Sequence, residues 1–145
     1  FNLIQNHPNM LHPGKKPLHT LSPTIWSKNN ELEFITGTRG GRYQPQLLAQ
    51  HILPYILGDS SFEEIVRKPR WSIEYFGSNT DSNIKFEFIE DNEKNSLVSK
   101  GHIINVEEKL LGSYGPISTI YKDQSGDFVG VPDIRVGTEK TFNNS

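Results

Sequence analysis

Two short stretches hold the residue types from which acyl or anion chemistry is built. In "PLHTLSPTIW" (Pro17–Trp26), His19 sets an imidazole next to the Thr20 hydroxyl; in "GTRGG" (Gly37–Gly41), Gly40 and Gly41 set two backbone N–H groups side by side. A His-Thr pair reads as base and nucleophile only if an acceptor orients the imidazole and a substrate carbonyl lies within reach of the hydroxyl. Neighbours in an extended segment point to opposite faces. The pair therefore reads as structural or substrate-contacting, and Thr20 is not an N-terminal catalytic threonine. The glycine pair reads in two ways: as a strand exit followed by a tight turn, or as an anion-binding loop whose N–H groups stabilise an oxyanion. It is not the spaced glycine fingerprint of dinucleotide sites, and it lacks the Gly-Lys-Ser/Thr ending of a phosphate loop.

A third candidate is "VPDIRVG" (Val131–Gly137). Asp133 and Arg135 can pair with each other or with distant backbone groups as an ionic anchor for a terminal strand, or Arg135 can face a substrate carboxylate. The remaining ionisable residues are scattered. His7, His12 and His102 form no ligand cluster, and Asp59, Asp81, Asp91, Asp123 and Asp127 specify no catalytic pair.

Elements to position these groups follow from periodicity and turn chemistry. Thr24–Trp26 and Leu32–Thr36 read as strands joined by the turn "SKNNE". Leu47, Leu48, His51, Ile52, Tyr55 and Ile56 recur at helical spacing over 46–57; Pro45 suits an early helical position and Pro54 predicts a kink or break. Ser61-Phe62-Glu63-Glu64 is a capping box, and Pro69 should stop its short helix. Trp71, Ile73 and Tyr75, then Phe86 and Phe88, alternate with polar residues as strands with one buried face, around the polar loop "FGSNTDSN". A helix over 92–100 ending at Gly101, a strand at "HIINV", and strands 117–121 and 128–131 around "KDQSGD" complete the chain. Residues 1–17 read as an irregular connection and 138–145 as a polar tail, with no linker between domains. Mixed strands and helices favour an α+β or layered-sheet assembly.

Composition narrows the partners. The chain of 145 residues carries 15 Lys plus Arg against 17 Asp plus Glu, a net charge of -2 without a basic field, so nucleic acid and anionic lipid are poor fits. No apolar run approaches a membrane span. With no Cys, a disulfide framework and thiolate chemistry are excluded, and the compartment is left open.

Taken in order, "PGKKPLHTLSPTI" (Pro13–Ile25), "TGTRGG" (Thr36–Gly41), "KPR" (Lys68–Arg70), "KGH" (Lys100–His102) and "VPDIRVG" resemble the C-terminal small subunit of the gamma-glutamyltransferase family. The resemblance covers nearly the whole chain and is strongest in the first two motifs. It implies an N-terminal nucleophile hydrolase fold, an αββα layered sandwich matured by self-cleavage, with this chain as a downstream portion. In that family the new N-terminal Thr attacks a gamma-glutamyl amide, forms an acyl-enzyme, and passes the acyl group to water, an amino acid or a peptide. By resemblance Gly40 and Gly41 match the oxyanion-hole glycine pair. His19 and Thr20 stand where the family has paired serines that bind the alpha-carboxylate end of the substrate. Thr20 keeps a hydroxyl, while His19 alters size, tautomer and charge, which opens the specificity to glutaryl or other short acyl amides.

The nucleophile segment of the family precedes the region that resembles Phe1–Pro17. Residues 1–145 alone are therefore expected to be inactive. The implied partners are an upstream nucleophile-containing segment and a large subunit of the same precursor, and no metal or organic cofactor is needed. A noncatalytic binding or structural protein on the same scaffold is the alternative. Family members are commonly exported, which leaves extracellular, periplasmic and cytoplasmic locations open.

Overall fold

The structure, a computed structural model, describes residues 2–17, 19–74, 83–107 and 115–136. Tyr75, the loop "FGSNTDSN" except for Asn83, and the tail 138–145 lie outside the described residues. Residues 2–17 hold turns and one isolated bridge, Asn2 with Met10.

Strands β1 (Thr24–Lys28) and β2 (Glu31–Thr38) form the expected hairpin, longer than its apolar centres suggested. Its loop is only Asn29-Asn30, with φ of 52° and 65°, because asparagine tolerates the left-handed conformation that a two-residue hairpin turn demands. β2 pairs antiparallel with β6 (Ile117–Lys122), and β6 with β7 (Phe128–Val131), giving the order β1-β2-β6-β7. The β6–β7 turn is held by Asp123, whose Oδ1 accepts the N–H groups of Ser125 and Asp127, each at 2.9 Å.

Period-two alternation gives this sheet two unlike faces. Phe34, Thr36, Thr119 and Val131 lie buried on one. The other carries Ile25, Ile35 and Ile120 side by side in register, at 74%, 37% and 50% exposure.

The buried face is covered by α1 (Gln44–Ile56) and α2 (Phe62–Ile65). Phe34, Leu48, Ile52, Phe62, Ile65, Val66 and Val131 make one core, with Phe62 stacked on Tyr55 at 4.0 Å and edge-on to Phe34 at 5.1 Å. The capping box is present: Ser61 Oγ accepts from Glu64 N–H, and Glu64 Oε2 accepts from Ser61 N–H at 2.9 Å. Pro54 does not break α1. It lies in the last turn, where its missing N–H costs a single bond to Gln50, and the Leu57 N–H closes the end onto Leu53 O at 3.0 Å.

A second sheet has the order β3-β4-β5, with β3 (Trp71–Glu74) antiparallel to β4 (Asn83–Phe86) and β4 parallel to β5 (Ile103–Val106) through the crossover helix α3 (Asp91–Ser99). Gly101, at φ 89°, follows α3 as expected of a helix terminator.

The expected buried face holds at Ile84, which is 7% exposed, and is corrected at β3 and at the end of β4. Ser72, not Trp71, is fully buried on β3, and β4 ends at Phe86, leaving Phe88 55% exposed. Arg70 and Ser72 share a face by the two-residue period, and that face meets a buried ionic network. The free edge of β3 meets α1 instead of another strand: the Gln46 and Gln50 side-chain amides exchange bonds with the backbones of Ile73 and Trp71 at 2.7–3.3 Å. Two glutamines one helical turn apart thus satisfy a strand edge and set the entry of Arg70.

Candidate active site

β2 leaves its sheet at Thr38 and, after Arg39 and Gly40, enters a 3-10 turn (Gly41–Tyr43) that runs straight into α1. The two glycines are required for different reasons. Gly41 sits at φ 55° in open space, so its constraint is conformational. Gly40 has an ordinary φ of -70°, but a Cβ there would come within 2.6 Å of Leu47 Cδ1, so its constraint is space. Neither N–H donates to a described residue. Both donors lie beside the start of α1, where the partial positive charge of the helix favours an anion.

His19 and Thr20 are exposed, and they reach this turn through a residue the sequence did not single out. Gln44, 4% exposed, donates its Nε2–H to Thr20 O at 2.7 Å, while its backbone N–H donates to Gly41 O. His19 Nε2 contacts the Leu21 carbonyl, which curls the segment on itself. The pair does not form a triad: among the described residues no carboxylate contacts His19.

Asp133 and Arg135 lie behind the turn in a buried network with Arg70 and Glu87. Asp133 Oδ2 accepts from Arg70 Nη2 at 2.6 Å and Ile117 N–H at 2.8 Å, and Oδ1 accepts from the Arg135 N–H at 2.9 Å. Arg135 donates to Glu87, to Val66 O at 2.9 Å and to Lys68 O at 3.0 Å. Burial alone would raise the Asp133 carboxyl, but the Arg135 and Ile117 N–H groups and the Arg70 guanidinium outweigh it and hold it below the ordinary carboxylate range.

Gly115 joins this network to the turn. Its carbonyl accepts from Arg70 Nη1 at 3.2 Å and Thr38 Oγ1 at 2.9 Å, and a Cβ on it would lie 2.6 Å from the Gly40 nitrogen. The glycine turn is thus backed, through one backbone contact, by a chain of buried charges.

A second buried polar chain crosses the core. Thr36 Oγ1 donates to Ser118 O at 3.1 Å and so accepts from Thr119 Oγ1 at 2.9 Å, which in turn accepts from His51 Nε2 at 2.7 Å. This chain assigns the Nε2–H tautomer and leaves His51 Nδ1 a buried acceptor without a partner among the described residues. Burial, then the nearby Arg70 charge, lower the His51 pKa from 6.5 to about 4. The folded state thus resists a proton that the unfolded chain accepts below its higher pKa. The His51 contribution to stability should fall as pH drops from 6.5 towards 4, by up to about 3 kcal/mol, and level off below that window. Denaturant midpoints of the protein and of His51→Gln, which keeps a donor but does not titrate, check this. Their difference should change between pH 7 and pH 4.5, and parallel curves would refute it.

Among the described residues no group of three or more His, Cys, Asp or Glu is placed to hold a metal. Sequence reasoning missed Gln44, Glu87 and Gly115 as parts of the site. The one local signal for Gln44 is its place just before Pro45, at the mouth of a helix. Glu87 alternates with Lys85 as a solvent-facing residue would, and Gly115 resembles any loop glycine.

The sequence model of the gamma-glutamyltranspeptidase family matches residues 1–142. A glutathione hydrolase-like proenzyme of Bacillus subtilis, YwrD, is 28% identical over 93% of this chain and 26% of its own length. The structure of the Bacillus anthracis transpeptidase enzyme CapD superposes with a TM-score of 0.73 at 25% identity, over 97% of this chain and 77% of that one. A cephalosporin acylase from Bacillus halodurans gives a TM-score of 0.73 at 28% identity, over 93% of this chain and 24% of that one. The α+β layering is that of the N-terminal nucleophile hydrolases to which such structures belong. The chain spans about a quarter or less of the length of the curated relatives it matches.

Proposed function

Since this chain belongs to the gamma-glutamyltranspeptidase family, we propose that it forms part of an enzyme that transfers or hydrolyses the acyl group of gamma-glutamyl or related short acyl amides. The observation that carries this reading is the Gly40–Gly41 turn, whose two N–H groups at a helix mouth are uncommitted among the described residues, tied by one glutamine to the exposed His19–Thr20 segment. Gly40 and Gly41 stabilise the oxyanion of the tetrahedral intermediate, and Thr20 with His19 contacts the acyl substrate.

The nucleophile is an N-terminal Thr upstream of residues 1–145, its hydroxyl activated by its own α-amine. Four of the five described threonines support that placement, and the fifth, Thr20, is exposed and assigned to substrate contact. Thr24, Thr36, Thr38 and Thr119 commit their hydroxyls to hydrogen bonds with sheet and loop backbone or with each other, and none carries a free amine. Asp133 and Arg135, with Arg70 and Glu87, anchor the scaffold behind the turn. The isoleucine row on the uncovered face of the first sheet supplies an apolar surface for the nucleophile-containing portion of the same precursor.

Mass-spectrometric trapping of the acyl-enzyme formed by the complete, matured precursor with a glutaryl or gamma-glutamyl anilide tests the assignment. The adduct is expected on a threonine outside residues 1–145, and residues 1–145 alone should hydrolyse neither anilide. An adduct on any residue within the chain, or turnover by the chain alone, would overturn it.

A further inference from the structure

We infer that Gln44 is a positioning residue that sets affinity for the acyl substrate by holding the His19–Thr20 segment against the Gly40–Gly41 turn; this rests on the acyl-transfer reading above.

Its two ends touch the two halves of the site. The backbone N–H of Gln44 donates to Gly41 O, closing the 3-10 turn, and its side-chain Nε2–H donates to Thr20 O at 2.7 Å across 24 residues of chain. Thr20 O has no other donor among the described residues, and the Thr20 side chain is exposed. Among the described residues this amide is the hydrogen bond that joins Thr20 to the turn carrying the glycine N–H groups.

The other end of that amide argues against a purely stabilising role. Gln44 Oε1 is buried and has no partner among the described residues. A buried acceptor without a donor opposes folding by as much as one good hydrogen bond supports it, or more. An isosteric apolar side chain would remove both effects and leave stability about level. Packing alone gives no reason for the unpaired oxygen, whereas a tether for the acyl-binding segment needs the donor and tolerates the orphan. Because the turn itself is closed by the Gln44 backbone, side-chain substitution should loosen the acyl contacts and spare the oxyanion donors. The expected signature is a KM effect without a kcat effect.

The test uses the complete matured precursor with glutaryl and gamma-glutamyl anilides. Gln44→Met should raise KM by roughly tenfold, the size of one lost amide hydrogen bond, with kcat within about threefold and the thermal midpoint unchanged or higher. Gln44→Glu adds a readout that packing alone would not move. Ionised, the introduced carboxylate can only accept and so repels the Thr20 carbonyl; protonated, it donates as the amide did. The KM of this variant relative to wild type should therefore be high at pH 8 and return towards unity at pH 5. If Gln44→Met fails to mature, this pH-dependent rescue decides alone. An active wild type with unchanged KM in Gln44→Met, or a Gln44→Glu ratio flat with pH, overturns the role of Gln44 and leaves the acyl-transfer reading standing. A wild type that turns over neither anilide overturns both.

Discussion

Replacing Asp133 by alanine should destabilise the protein by about 3–5 kcal/mol, the cost of breaking a buried ion pair by removing one partner. The carboxylate is fully buried, and it accepts from Arg70, from Arg135 and from the Ile117 N–H at the head of β6. Without it two guanidinium groups share a low-dielectric space in which Glu87 is the remaining carboxylate partner among the described residues, and the Ile117 N–H loses its acceptor. Asp133→Asn keeps the shape and one acceptor but loses the charge, so its stability should lie between those of Asp133→Ala and wild type. Denaturant unfolding of the complete matured protein reads the effect. A loss below about 1 kcal/mol for Asp133→Ala would show that the network does not anchor the scaffold.

With Gly40 in its proposed role as oxyanion donor, Gly115→Ala should lower turnover of acyl amides by roughly 10²–10³-fold, the effect of removing such a donor, although Gly115 itself donates nothing to the site. Its φ of 63° already disfavours alanine, and the added methyl would press on the Gly40 nitrogen and on Thr38 Oγ1, at 2.6 and 2.7 Å. The Gly40 N–H would have to move away from the position it now holds. Gly40→Ala should show a smaller loss, because its methyl would strike the end of the Leu47 side chain, which is fully buried but not backbone. Gly41→Ala is the internal comparison: nothing lies within 4 Å of its Cβ, so only the left-handed backbone is penalised, by roughly 1–2 kcal/mol of stability. Steady-state rates and melting midpoints of all three variants, measured on the matured precursor, separate the cases. Near-wild-type turnover in Gly115→Ala would mean that the turn is not placed by its contact with Gly115.

Local chemistry was legible where one short stretch held all the information. The Asn29-Asn30 turn, the Ser61–Glu64 capping box, the Pro45 entry to α1 and the Gly101 exit from α3 each depend on residues within one turn of chain. The helical stripe through Leu48, His51 and Ile52 also pointed to the core, although its apolar period hid the fact that His51 would arrive there as a hydrogen-bond donor to Thr119. The buried face of β3 was misread for a related reason. Alternation of Trp71 and Ile73 with polar neighbours assumes that apolar side chains fill the interior, whereas the interior beside β3 is occupied by Arg70 and its carboxylates.

By itself, then, the sequence determined the elements, their order and the family to which they belong, together with the glycine pair and the His-Thr segment as separate candidates. Only the tertiary structure decided what joins them: Gln44 to Thr20, Gly115 to Gly40, Arg70 to Asp133 across 63 residues, and Glu87 to Arg135 across 48. The physical reason is one of range. Turn, cap and period preferences act over a few residues and leave a mark at each position, while a long-range hydrogen bond or ion pair asks only for a donor and an acceptor, which many residues supply. Which pair meets is settled by how strands and helices pack, and that packing places a glutamine, a glycine and two arginines around a turn whose own residues gave no sign of them.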